Sequence, residues 1–379
     1  MKEKKRKNIK AESNEIMPLL VKVWRRLRKL SGPTDRLQTR EFRNVAAALK
    51  KRKTGEILSE DAALDVSLLY DWIIYYQQAL SIFGELPKRP KRVLDLSGGL
   101  AYFSFAALRH DVDDVVLMSM DHRQMQIGAE ICGFYGYTLA TQGIPNLSSQ
   151  LPYEGKADVI CLGHCLYKRF GNISDFTEVV GYLKGLLTYL SPKGCVVIIE
   201  PSEAHYNTWV LQLRDQLVSE GFPIQAPCVW KGKCPALQAK NHCYAQREFE
   251  KPYIIQELQR ASDIFLNSLK MSYLILRHPD FDWPSLPPRA YYRIISPPFE
   301  SIRGKTYYLC GVKGKKKLSS SVNDHPKSLR PFDYVKRGEL VEIKNAFETE
   351  YNFELKEESE LEIAAALGKP IPEMEENND

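Results

Sequence analysis

Apolar residues recur at helical spacing through the first quarter of the chain, then give way to short apolar runs separated by turns. Residues 16–30, IMPLLVKVWRRLRKL, repeat apolar positions with arginine and lysine between them, the pattern of a helix with one buried face. Ser59 opens SEDAALDVSLLYDWIIYYQQALSIF. A serine N-cap satisfies an orphan backbone N–H, and the acids behind it suit the positive end of the helix dipole. Two prolines in LPKRPKR then end the helical texture.

From Arg92 strands and helices alternate. RVLDLSG, DDVVLMSMD, ADVICLGHCLY and SPKGCVVIIEPS read as strands, and AYFSFAALRH, RQMQIGAEICGFYG and FTEVVGYLKGLLTYL as helices. That alternation predicts a parallel, doubly wound α/β sheet. After a helix at Trp209–Glu220 the period is lost in GFPIQAPCVWKGKCPALQAKNHCYAQREFEKP. A helix near Ile254–Leu269, a strand in MSYLILRH, and strands of a small sheet in RAYYRIISPP and KTYYLCGV follow, with a further short strand in VNDHPKSLRPFDYVKRGELVEI. The chain divides into a disordered basic arm (1–15), a helical segment (16–90), an α/β domain (91–222), a cysteine-bearing module with a small β-sheet (223–345) and an acidic flexible tail (346–379).

Composition adds limits. Charged residues make up 26% of 379 residues and there is no run of eighteen apolar ones, so a soluble protein without a membrane span is expected. The first residues are basic but lack an apolar core and include Glu3, Glu12 and Glu15. A cytoplasmic protein is the expectation, with the mitochondrial matrix as the alternative. Net charge is +6, gathered in clusters at Lys2–Lys10, Arg25–Lys29, Lys50–Lys53, Lys88–Arg92 and Lys313–Lys317. Such clusters suit solvated faces or a phosphate-rich partner.

The strand VLDL runs into Asp95-Leu96-Ser97-Gly98-Gly99-Leu100-Ala101. A loop of this kind after the first strand lets backbone approach S-adenosylmethionine in class I methyltransferases, and an acid after the second strand holds the ribose. Asp95, Ser97, Gly98, Gly99 and Asp121 are the expected cofactor-binding residues of a class I methyltransferase (Rossmann-like) fold. Only Gly99 falls in register with acid-x-Gly-x-Gly-x-Gly, so a dead pocket is the competing reading, and no catalytic residue is assigned. Ser296-Pro297-Pro298-Phe299 imitates an amino-methyltransferase motif, but lies far downstream of the fourth strand and reads as a turn between strands.

Of eight cysteines, Cys132, Cys161, Cys165 and Cys195 fall on elements of the α/β domain and read as small core residues. Cys228, Cys234 and Cys243 lie in the aperiodic loop, whose order would come from metal ligation, and Cys310 ends a downstream strand as the fourth candidate ligand. Four thiolates suit zinc or an iron–sulfur cluster. The intervals of five, eight and sixty-six residues contain no tight pair, which favours a 4Fe-4S cluster over zinc.

These residues carry a resemblance. From Leu86 to Gly314 the chain resembles the Rsm-type methyltransferase-like proteins of the small ribosomal subunit, found in bacteria, archaea and mitochondria. The landmarks are PKRPKRVLDLSGG, VVIIEPSEAH, APCVWKGKCPALQAKNHCYAQREFE and TYYLC. The family signature maps onto Pro227-Cys228, Cys234-Pro235, Cys243, Arg247 and the late Cys310. The resemblance implies a 4Fe-4S cluster on the four cysteines and binding to small-subunit rRNA during assembly, with S-adenosylmethionine-dependent rRNA methylation left open. The chain departs from the family in its cofactor loop, DLSGGLA, and in having Glu200-Pro201-Ser202 for Glu-Pro-Gly. On this reading the cluster holds Lys231, Lys233, Lys240 and Arg247 facing rRNA phosphates. The rival readings are a non-catalytic assembly or translation factor, and a zinc-containing methyltransferase acting elsewhere.

Overall fold

The computed structural model describes residues 9–33, 36–172, 175–287, 290–302 and 304–374. Four helices come first: α1 (Ile9–Leu27), α2 (Thr39–Lys53), α3 (Glu60–Val66) and α4 (Trp72–Phe83), the last two joined by a π turn at Ser67–Asp71. Ser59 caps α3 as expected, accepting the Ala62 N–H at 3.3 Å. Ile16, Leu20, Trp24, Leu49, Trp72 and Tyr76 are buried in one core with residues of the sheet that follows. Residues 1–8 of the expected basic arm lie outside the described residues, but 9–15 belong to α1. Glu12 and Ser13 are buried there, Glu12 pairing with Arg109 and Ser13 accepting from Gln77.

The α/β sheet contains β1 (Arg92–Asp95), β2 (Asp114–Ser119), β3 (Ala140–Gly143), β4 (Ala157–Gly163), β5 (Leu190–Glu200), β6 (Ile224–Ala226), β7 (Ala245–Arg247) and β8 (Leu269–Arg277). The spatial order is β3-β2-β1-β4-β5-β8-β6. Strands β1 to β5 run parallel, and β8 is antiparallel to both β5 and β6. A sheet in that order with one reversed strand is the class I methyltransferase arrangement. The helices α5 (Tyr102–Arg109) and α6 (His122–Phe134) follow β1 and β2. The domain does not close at residue 222, because β6 and β8 return to complete its sheet. Strand β3 had no apolar signal, and its first two residues are exposed at the sheet edge.

A second sheet holds β9 (Ala290–Ile294), β10 (Phe299–Ser301), β11 (Gly304–Gly311), β12 (Gly314–Ser320), β13 (Leu340–Lys344), β14 (Phe347–Glu348), β15 (Asn352–Leu355) and β16 (Glu360–Ala365). Its order is β14-β15-β12-β11-β9-β13-β16. Strands β15 and β16 lie toward opposite edges, yet only residues 356–359 separate them, a reach of about 18 Å at most. The sheet must therefore curl until its edges meet. Tyr292, Tyr307, Leu309, Leu318, Phe353 and Leu361 fill the interior. The pairings are antiparallel β9–β11, β11–β12, β9–β13 and β13–β16, and parallel β12–β15. This is the five-stranded Greek-key barrel of the OB type, its fifth strand broken into β15 and β16.

The acidic tail is thus a correction. Residues 347–365 carry β14, β15 and β16, with Phe353, Leu355 and Leu361 turned into the barrel between outward acids. Beyond them Ile371 is buried and Glu373 pairs with Arg277 at 2.7 Å. Residues 375–379 lie outside the described residues.

Candidate functional site

The cysteine loop is an excursion between β6 and β7, both of which hydrogen-bond to β8. Its ends are thereby fixed on one strand. Its middle is fixed by the helix Ala204–Ser219. Asn207, Leu211, Arg214 and Asp215 fall at i, i+4, i+7 and i+8, so they share one face. Asn207, fully buried, donates to the Cys243 carbonyl at 2.8 Å and accepts the Cys243 N–H at 3.1 Å. Both Asp215 carboxylate oxygens accept the Cys234 N–H at 3.0 Å. Arg214 donates to the Gly232 carbonyl at 2.5 Å and to that of Trp230. Leu211 packs with Cys234 and Ala236. Protein side chains already order this loop, which the sequence left to a metal.

Cys310 comes from the barrel. On β11 the buried Tyr307, Leu309 and Gly311 point inward, so Thr306, Tyr308 and Cys310 point outward. Across the ladder Cys310 faces Arg293 of β9. Arg293 donates to the Pro227 carbonyl at 2.6 Å, one residue before Cys228, and to the Gly338 carbonyl at 2.6 Å. Burial pushes the Cys243 thiol up to about 12, with Cys228 and Cys234 adding to the push. Burial likewise raises Cys310 well above its ordinary value, with Cys228, Cys243 and Cys234 adding to it. Cys234 is raised by burial and then by Cys228. Among the described residues, however, no three His, Cys, Asp or Glu side chains form a set that could hold a metal ion.

The surroundings of the thiols are cationic. Arg214 lies in the field of Cys228 and Cys234, while Arg337 and Arg293 lower the Cys243 thiol against its burial. The Nε atoms of Arg214 and Arg337 are buried without a hydrogen-bond partner. Unmet donors beside four thiols fit an anionic group bound there, because a buried N–H without an acceptor costs about 1–3 kcal/mol. A cavity of ≈ 50 Å3 touches Cys228, Cys243, Arg214 and Arg293. Sequence reasoning missed Asn207, Arg214, Asp215, Arg293 and Arg337. The first three carried a signal, as polar residues at helical spacing within an otherwise apolar face.

The cofactor loop is more closed than its sequence suggested. Asp95 is fully buried, and its carboxylate accepts from Ser104 N–H and Oγ at 2.9 and 2.6 Å and from Ser97 N–H at 2.9 Å. Burial raises its pKa while those bonds oppose the rise. Ser97 Oγ accepts the Gly163 N–H at 2.9 Å. Gly99 presses on α6, where a Cβ would overlap Gln124 and Met125. Asp121 lies exposed two residues past the end of β2 and caps α6 by accepting the Gln124 N–H at 2.9 Å. Beside the ends of β1 and β4, Tyr75 of α4 stacks on His164 at 3.9 Å, and Tyr102 donates to the Ser97 and Gly163 carbonyls. Gly98, at φ +119°, has open space where a Cβ would stand.

The four basic candidates separate. Lys231, Lys233 and Lys240 are exposed on the loop. Arg247 is only 6% exposed, and its guanidinium is held by Glu85, by Ser81 at 2.9 Å and by the Gln246 carbonyl at 3.0 Å. Its expected role at rRNA phosphates is corrected to that of an internal partner. Ser296 in the SPPF stretch lies between β9 and β10 and accepts the Tyr308 N–H at 2.9 Å, joining strands as expected.

No helix among the described residues is long and apolar enough to cross a membrane. Similar solved structures include a ribosomal protein L11 methylase from Lactobacillus delbrueckii subsp. bulgaricus (14% identity, 52% of this chain and 77% of that one, TM-score 0.33). The N-methyltransferase NodS from Bradyrhizobium japonicum WM9, with S-adenosyl-l-homocysteine, is similar at 12% identity over 54% of this chain and 85% of that one (TM-score 0.35). A putative RNA methyltransferase from Pyrococcus horikoshii is similar at 14% identity over 63% of this chain and 98% of that one (TM-score 0.34). No curated protein matches the chain. The family model described as mitochondrial small ribosomal subunit Rsm22 matches residues 87–323, more than half of the chain, and the protein belongs to that family.

Proposed function

We propose that the protein is a mitochondrial small-ribosomal-subunit assembly factor that binds small-subunit rRNA and uses its methyltransferase fold as a scaffold. In this reading Cys228, Cys234, Cys243 and Cys310 hold a 4Fe-4S cluster. The observation that carries it is Arg293, which stands across the barrel ladder from Cys310 and donates to the Pro227 carbonyl, next to Cys228 on the loop. Bound there, the cluster supplies iron–thiolate bonds that tie loop and barrel together. The chain's own residues do the rest. Asn207, Asp215 and Arg214 fix the loop backbone, Arg293 fixes Pro227, and the cationic shell offsets negative charge on the ligated thiolates. Lys231, Lys233 and Lys240 stand exposed beside this junction and supply attraction to rRNA phosphates.

The open space beyond Gly98 favours a second reading, S-adenosylmethionine-dependent rRNA methylation. The closed packing of Asp95 and Gly99 weighs against it. Equilibrium dialysis with labelled cofactor separates the two, since the scaffold reading expects no retention at millimolar concentration. The proposed function itself is tested by gradient sedimentation of the full chain with mitochondrial small-subunit precursors. Co-migration that weakens as salt rises is expected, and a chain that stays at the top of the gradient at low salt overturns it.

A further inference from the structure

The barrel has a face that the four-cysteine junction does not use. Outward positions of β11 and β12 lie opposite one another as Thr306–Ser319, Tyr308–Lys317 and Cys310–Lys315. At one end of this row Cys310 turns toward the junction. Beyond it the face is open: Tyr308 is 38% exposed, and Phe299 of β10, 49% exposed, meets its ring edge-on at 5.6 Å. Lys315 Nζ stands 4.6 Å from the centre of the Tyr308 ring. Lys317 is exposed directly across from Tyr308 and, among the described residues, has no ion-pair partner. The nearby acid Glu348 pairs instead with Lys313 and Lys316, at 2.6 and 3.1 Å.

Two neighbouring exposed rings on β10 and β11, edged by the unneutralised lysines of β12, make a base-stacking platform with phosphate contacts beside it on an OB-type barrel. We infer that the outer face of β11–β12 binds a single-stranded RNA segment, its bases stacking on Tyr308 and Phe299 and its phosphates meeting Lys315 and Lys317. A duplex suits this face poorly, because its bases are already stacked on each other. The site rests on the RNA-binding part of the proposed function but not on the ribosome being the source of the RNA. It also gives the junction a consequence. Because Tyr308 and Cys310 share one strand face, whatever fixes Cys310 fixes the platform's orientation on the methyltransferase domain.

The experiment is fluorescence anisotropy of the full chain with a labelled unstructured RNA oligonucleotide and with the same sequence annealed to its complement. The wild-type chain is expected to prefer the single strand. Tyr308→Ala and Phe299→Ala each weaken it roughly ten-fold, while Tyr308→Phe retains binding because the ring remains. Lys317→Ala lowers the slope of log affinity against log salt by about 0.7, the value of one single-strand phosphate contact. Equal binding of strand and duplex, or unchanged affinity in the two alanine variants, overturns the inference. Sedimentation keeps the two readings apart. A chain that joins small-subunit precursors while Tyr308→Ala binds RNA normally defeats this site alone. A chain that binds single strands through Tyr308 yet never joins the precursors defeats the ribosomal reading alone.

Discussion

Arg293 lies directly across the β9–β11 ladder from Cys310, and its guanidinium reaches the carbonyl of Pro227, the residue before Cys228. One side chain therefore joins the barrel strand that carries the fourth cysteine to the loop that carries the other three. Replacing Arg293 by Ala leaves the Pro227 and Gly338 carbonyls without this donor. A loss of about 2–4 kcal/mol in urea unfolding is expected, together with lower iron retention after anaerobic purification.

Arg247 tests whether a basic residue of the family signature acts inside or outside. It pairs with Glu85, which also accepts from the Tyr273 hydroxyl. Arg247→Ala strands a buried carboxylate, and breaking such a pair costs about 3–5 kcal/mol. Denaturant melts are expected to show that loss. The salt dependence of RNA binding by the folded variant is expected to stay at the wild-type slope, because no phosphate contact has gone.

Gly99→Ala probes the cofactor loop. The added methyl group overlaps Gln124 and Met125 at the start of α6, and overpacking of this kind costs about 1–3 kcal/mol. A lower melting temperature with unchanged sedimentation alongside small-subunit precursors is expected. Loss of sedimentation from the still-folded variant would mean that the loop contributes to binding.

His164 gives a pH dependence. Burial drives its pKa down to about 3. The unfolded imidazole, near 6.5, binds a proton that the folded one refuses. Its contribution to stability is therefore complete above pH 6.5 and falls away as pH drops toward 3. Between pH 7 and pH 5 the loss is on the order of 2 kcal/mol. Urea midpoints at the two pH values should show it, and His164→Gln should flatten the difference.

Much of this was legible in the chain. Strands β1, β2, β4 and β5 are runs of buried apolar residues, and such runs announce themselves. The cysteine loop stood out because prolines and thiols replace any apolar period. Other parts were hidden for physical reasons. In NFELKEESELEIAA the inward Phe353, Leu355 and Leu361 alternate with outward acids, so net composition resembled a solvated tail although the period was that of a strand. The end of β2 was misplaced because the apolar Met120 prolongs the apparent strand, yet Met120 is exposed and the chain has already turned toward α6. Arg247 was read as facing rRNA and Arg293 was not singled out, because their partners, Glu85 and the Pro227 carbonyl, lie 162 and 66 residues away. No local pattern reports such pairings.

In the proposed function, four cysteines from two parts of the fold hold one cluster. The direct measurement is anaerobic purification of the full chain, followed by iron, sulfide and zinc analysis with an absorption spectrum, for the wild type and for Cys310→Ser. About four irons and four sulfides per chain are expected, as a cubane on four thiolates requires, with their loss in Cys310→Ser. A colourless protein holding about one zinc, or a Cys310→Ser variant with its full iron content, would contradict it.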